Sequence, residues 1–135
     1  MKIKVLVIDD ELMICKTLKA GLTDMGYDVA TAQNRKDALK QTASFKPQIV
    51  LTDMRLGNEN GIDLIDDIKK VDSDIEIIVM TAYSDITSAV TAIKKGAFDY
   101  INKPFDLEEI EIILERAYQK YKIKNKILIL EKQSQ

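Results

Sequence analysis

Four short apolar runs in this chain each lead into a polar group capable of chemistry, and this repetition constrains the fold more than any other feature. Ile3 to Ile8, with Lys4 the one polar member, ends at Asp9-Asp10, and Ile49-Val50-Leu51 stops one residue short of Asp53. Ile75 to Met80 ends at Thr81, and Phe98 to Ile101 leads into Asn102-Lys103-Pro104. Apolar runs of this length, separated by stretches of helical period, read as strands of a buried parallel sheet. In open parallel sheets the functional groups gather beyond the carboxyl ends of the strands. Three carboxylates, a hydroxyl and an ammonium are therefore expected on one rim, a set suited to a divalent metal and a phosphoryl group.

The segments between the runs supply the helices. Ile14, Leu18 and Leu22 recur every four residues and predict a first helix, closed by Gly26. Tyr27 to Ala32 reads as a short second strand. Asn34 is placed to cap a helix carrying Ala38, Leu39 and Phe45, which Pro47 ends. After Asp53 a loop through Gly57 and Gly61 leads to a helix with Leu64, Ile65 and Ile68. Ile86, Ala89, Val90 and Ile93 predict the inner face of a fourth helix before Gly96, and Asp106 is a plausible cap for the last. Alternation of this kind predicts an α/β fold, a doubly wound five-stranded parallel sheet with right-handed crossovers. The flavodoxin-like strand order 2-1-3-4-5 would bring Asp9, Asp10 and Asp53 into the crevice at its switch point. From Leu107 to about Glu131 there is neither Gly nor Pro, so an extended C-terminal helix is expected.

Composition removes several classes of function. The chain has 135 residues, an apolar share of 46% that supports a real core, and a formal charge of −2 that argues against bulk electrostatic attraction to nucleic acid. No stretch approaches the roughly 20 apolar residues of a membrane span. The start carries no signal-peptide pattern, and the single Cys15 cannot form an internal disulfide; both fit a cytoplasmic location. Cys15 itself reads as a small buried residue. There is no histidine, which excludes histidine metal sites, nucleophilic triads and phosphohistidine within this chain.

Asp9, Asp10 and Asp53 form a hard, all-oxygen set of the kind magnesium prefers, and without a cation they would repel one another. Asp53, central among them, could act as a carboxylate nucleophile and form an aspartyl phosphate. Phosphoryl transfer needs mainly positioning and neutralisation of the equatorial oxygens. Mg2+, the Lys103 ammonium and the Thr81 hydroxyl would divide that task. A cis Lys103–Pro104 bond would aim the lysine at the rim. Each residue alone is weak evidence; their conjunction at strand ends in this order is specific.

Residues 1 to about 120 resemble the receiver domain of two-component response regulators. The matching pieces are Val-Leu-Val-Ile-Asp-Asp-Glu at 5–11, Ile-Val-Leu-Thr-Asp-Met-Arg-Leu at 49–56 with Gly61, Ile-Val-Met-Thr-Ala-Tyr at 78–83, and Gly-Ala-Phe-Asp-Tyr-Ile-Asn-Lys-Pro-Phe at 96–105. The resemblance implies Asp53 as phosphoacceptor, Asp10 as main metal carboxylate, Asp9 assisting through water and the Arg55 carbonyl completing the metal shell. It implies Thr81 and Lys103 as phosphoryl contacts, and Thr81 with Tyr100 as the switch pair. Gly57 departs from the proline usual four residues after the acceptor, which bears on loop stiffness and not on chemistry. Within the family the motifs are most similar to receivers of sigma-54-dependent activators of the nitrogen-regulation and dicarboxylate-transport type.

That resemblance implies a receiver over 1–118 and a helical linker over 119–135 toward an output domain absent from the chain. It also implies a sensor histidine kinase as partner and a homodimer through the C-terminal helix and the fourth-helix/fifth-strand face, without membrane or direct nucleic-acid contact. The expected role is a phosphoacceptor switch rather than an enzyme, with only self-directed phosphotransfer and autodephosphorylation, governing a downstream ATPase. A single-domain receiver acting by protein–protein contact is the alternative. A haloacid-dehalogenase-type phosphatase would place a second Asp two residues after the nucleophile, where this chain has Arg55. A flavin binder would need a phosphate-cradling loop where Asp9-Asp10-Glu11 stand.

Overall fold

The computed structural model describes residues 2–57, 59–82 and 85–133, apart from the side chains of 59, 60 and 126–133. In chain order the elements are β1 (Lys4–Ile8), α1 (Leu12–Asp24), β2 (Asp28–Ala32), α2 (Arg35–Phe45), β3 (Ile49–Asp53), α3 (Gly61–Val71), β4 (Glu76–Ala82), α4 (Ile86–Lys94), β5 (Asp99–Lys103) and α5 (Leu107–Gln133). The β strands form one parallel sheet in the order β2-β1-β3-β4-β5. A small antiparallel ladder, Arg55–Leu56 with Glu59–Asn60, lies between β3 and α3. The doubly wound order read from the sequence is the one observed.

Strand alternation divides the core in two. Leu6, Ile8, Val50, Ile77 and Val79 face α2, α3 and α4, meeting Ala38, Leu64, Ile65, Ile68 and Ala92. Val5, Val7, Ile49, Leu51, Ile78 and Met80 face α1 and α5, meeting Leu18, Leu22, Ile110, Leu114 and Ala117. Each fully buried aliphatic side chain contributes about 1.5–3 kcal/mol, so the two layers are the main stabilising term.

The helix ends follow local chemistry. Asn34 Oδ1 accepts the Asp37 N–H at 2.8 Å, and Asp106 Oδ1 accepts the Glu108 N–H at 3.1 Å, as N-caps do. α1 stops at Gly26, whose φ of +99° suits a residue without Cβ, and the Tyr27 N–H reaches back to the Leu22 carbonyl at 3.1 Å. Gly61 opens α3 in close approach to β3: its N–H donates to the Met54 carbonyl at 2.7 Å, and a Cβ there would stand 2.7 Å from the same oxygen.

One expectation is corrected. Ala89 does face the core, but its partner is Ala92, while Ile86, Val90 and Ile93 are 58%, 43% and 39% exposed. The two stripes lie side by side on α4, and the helix turns its small residues toward the sheet. Periodicity alone favours the larger side chains. The end of the chain is helical as expected, with Ile110, Leu114 and Ala117 all buried against the sheet.

Candidate active site at the carboxyl ends of the strands

β1 ends at Ile8, so Asp9 and Asp10 leave the sheet at its rim, beside β3. The β1–β3 register pairs Ile8 with Thr52, which places Asp53 next to them. Asp9, Asp10 and Asp53 each bring a carboxylate oxygen to within 4.8 Å of the others. Asp9 is buried, Asp53 half-buried and Asp10 exposed. β5 delivers Lys103 to the same point: its Nζ lies 2.7 Å from Asp9 Oδ2 and 3.1 Å from Asp53 Oδ2. The Lys103–Pro104 bond is cis.

Backbone amides hold the other carboxylate oxygens. The Glu11 N–H donates to Asp9 Oδ1 at 2.9 Å, and the Arg55 N–H to Asp53 Oδ1 at 3.3 Å. The Gly57 N–H donates to Asp10 Oδ2 at 3.0 Å. Gly57 has a φ of +62°. Proline can supply neither that angle nor an N–H. The residue that departs from the family pattern thus ties the loop after β3 to one of the three carboxylates. The sequence marks Gly57 only as a change in stiffness and does not reveal this contact.

Burial dominates at Asp9 and pushes its carboxyl above the usual range, the Lys103 and Glu11 hydrogen bonds only partly offsetting it and the Asp53 charge adding to it. At Lys103 burial alone would lower the ammonium, but the hydrogen bond to Asp9 and the charge of Asp53 outweigh it and hold the group above its ordinary value. Lys103 is therefore a firm cation at neutral pH. Cys15 lies beneath, its thiol 3.4 Å from the Asp9 carbonyl and raised by burial and by the Asp9 charge, which leaves it inert.

Thr81 is 1% exposed, and its Oγ1 has no hydrogen-bond partner among the described residues. A buried hydroxyl left so is a group prepared for an absent acceptor or donor. Thr81 shares strand parity with Val79, and Val79 pairs with Tyr100, so Thr81 and Tyr100 lie on the same face of the sheet. Tyr100 is half-buried there. Arg55 is exposed and lines an open cleft of about 590 Å³ with Glu11, Asp53, Met54, Ala82, Asp85 and Lys103. Asp85 was not foreseen in this lining; it also caps α4 through the Ser88 N–H. Tyr83, quoted in one of the motifs, is outside the described residues. A larger groove of about 700 Å³ between Tyr27 and α5 is lined by Glu111, Glu115 and Arg116, away from the carboxyl ends of the strands.

Residues 5–115 match the family described as the response regulator receiver domain. This chain belongs to it. Regulatory protein AtoC of Escherichia coli (strain K12) is 35% identical to this receiver over 124 residues, 92% of this chain and 27% of that protein. NtrX from Brucella abortus in complex with ADP superposes with a TM-score of 0.91 at 32% identity, covering 96% of this chain and 30% of the other. The beryllofluoride-activated NtrC4 receiver domain dimer gives a TM-score of 0.81 at 34% identity, over 87% of this chain and 98% of the other. The chain spans about a quarter of the length of the curated relatives it matches.

The donor set fits a hard divalent ion. All three side chains offer carboxylate oxygen, and an open cleft leaves room for water beside Asp53. Among the described residues no helix is long and apolar enough to cross a membrane.

Proposed function

We propose that this receiver is a cytoplasmic, phosphorylation-dependent switch that accepts a phosphoryl group on Asp53 from a sensor histidine kinase. The carrying observation is the Lys103 ammonium bridging Asp9 and Asp53, with Asp10 alongside and the unpartnered Thr81 hydroxyl on the adjoining strand. These 135 residues hold no histidine, so the phosphohistidine donor lies outside them. An Asp53 carboxylate oxygen attacks phosphorus in line, the P–N bond to the donor imidazole breaks, and an acyl phosphate forms. Magnesium, held by Asp9, Asp10, Asp53 and the Arg55 carbonyl, would supply positive charge to the phosphoryl oxygens. Lys103 moves its interaction from the carboxylates to a second oxygen, and Thr81 donates its hydroxyl to a third. Water later cleaves the acyl phosphate and releases inorganic phosphate. The chain modifies and restores itself, so it is a switch and not a turnover enzyme.

Drawing Thr81 toward the phosphoryl group would vacate space on the face it shares with Tyr100, and Tyr100 would pack inward. New contacts to Lys103 and Thr81 exist only in the phosphorylated state, which is what a population shift requires. The shift would rearrange a homodimer through α5 and the α4–β5 face, and so restrain or release a sigma-54 activator ATPase beyond the helix. Dimerisation of the activated NtrC4 receiver supports this reading. The exposed Ile86, Val90 and Ile93 favour a second reading, a receiver that acts by protein–protein contact alone.

Acetyl phosphate with magnesium should add one phosphoryl mass to the intact chain, labile to hydroxylamine. Omitting magnesium or replacing Asp53 with Ala should abolish it. A stable adduct on Asp53→Ala would overturn the assignment.

A further inference from the structure

Glu76 is fully buried at the first position of β4, inside the run that reads as apolar in sequence. By strand parity it points with Ile78 and Met80 toward the α1 and α5 layer. Neither carboxylate oxygen accepts a well-formed hydrogen bond among the described residues. Their nearest charges come from α5: Lys124 Nζ lies 2.5 Å from Oε1 and Lys120 Nζ 3.6 Å from Oε2. Lys69 approaches from α3, donating to the Ser73 and Ile75 carbonyls at 3.3 Å and 2.5 Å. Burial lowers the Lys69 ammonium while the Glu76 charge works against that, so the two groups sense one another.

A buried carboxylate with one partner removed is strongly destabilised, because the charge is left without compensation. Glu76 therefore makes sense only with the helix continuing past Ala117. The same stretch makes further contacts. Lys120 sits 5.6 Å from the centre of the Phe98 ring, and Tyr118 stacks on Tyr121 at 6.3 Å. Lys124 supplies the nearer of the two ammonium groups beside Glu76.

We infer that Glu76 is the anchor for the helix leaving the receiver, fixing the direction of residues 119–125 by pairing with Lys120 and Lys124. The helix extension is thereby a fastened lever and not a free linker. β4 carries Thr81 near its carboxyl end and Glu76 at its start, roughly 16 Å apart at the usual strand rise. One strand thus joins the rim to the exit of the helix. The anchor stands on these contacts and does not depend on phosphoryl chemistry.

Hydrogen–deuterium exchange on the 135-residue chain tests it, with Glu76→Gln, the pair Lys120→Met and Lys124→Met, and all three together. The pair variant leaves the Glu76 charge buried without its partners, and the triple variant removes that charge as well, so the triple variant keeps the test available where either of the others fails to fold. Amides of 119–125 should exchange roughly tenfold or more faster in each variant, with β1 and β3 unchanged and the triple variant no faster than the pair. Unchanged exchange over 119–125 in the pair variant would overturn the anchor. So would a uniform acceleration through β1, β3 and α5, which would assign Glu76 to general stability alone.

Discussion

Asp9 shows how one side chain can be costly to the fold and useful to the site. Burial withholds water from its carboxylate, and the Lys103 hydrogen bond recovers only part of the loss. A carboxyl raised above its ordinary 3.8 binds its proton more tightly in the folded state. Stability contributed by this group therefore falls as pH rises from 3.8 through the folded value, and below 3.8 the penalty is absent. Asp9→Asn should then raise the melting temperature of magnesium-free protein at neutral pH. The gain should shrink toward zero as the pH approaches 3.8. A series of thermal melts from neutral to acid pH checks the sign, and a gain that persists unchanged into acid would contradict burial of the charge as its cause. The same substitution should weaken magnesium binding, so the residue trades stability for function.

At the scale of elements, α3 and α4 show two ways in which packing refines a correct assignment. α3 can start where it does because Gly61 lets its first turn lie against the Met54 and Asp53 carbonyls. Gly61→Ala should cost roughly 1–3 kcal/mol through forced displacement of that backbone, a loss measurable in urea unfolding. A neutral substitution would mean that the loop before α3 yields freely. On α4 the sequence offers two adjacent stripes, and the sheet accepts Ala89 and Ala92. The narrow alanine face brings the helix near β4 and β5, and the branched residues are left outside. That exposed stripe is the surface on which the proposed dimer or another partner would draw.

The whole molecule joins a rim that gathers charge to a helix that leaves the sheet. α5 packs Ile110, Leu114 and Ala117 on the sheet and runs to Gln133. A two-fold dimer held through this helix and the α4–β5 face should appear by sedimentation equilibrium of the full chain at about tens of micromolar. It should weaken on truncation after Tyr118 and change with beryllofluoride. A chain that stays monomeric with or without beryllofluoride would leave the protein–protein reading of a single-domain receiver.

By itself the sequence determined the alternation of elements, a doubly wound parallel sheet, and the placing of Asp9, Asp10, Asp53, Thr81 and Lys103 at strand ends. These follow from local signals: apolar runs, helical period, caps such as Asn34 and Asp106, and the fixed handedness of parallel crossovers. Tertiary structure alone decided which stripe of α4 is buried, that the Gly57 amide holds Asp10, and that Glu76 pairs with Lys120 and Lys124. Each of these depends on groups distant in the chain or on a choice between equivalent helix faces. Periodicity reports that a face is apolar, but only the opposing surface sets which side chains fit it. A buried charge such as Glu76, likewise, passes unremarked inside an apolar run until the partners that neutralise it are brought into place.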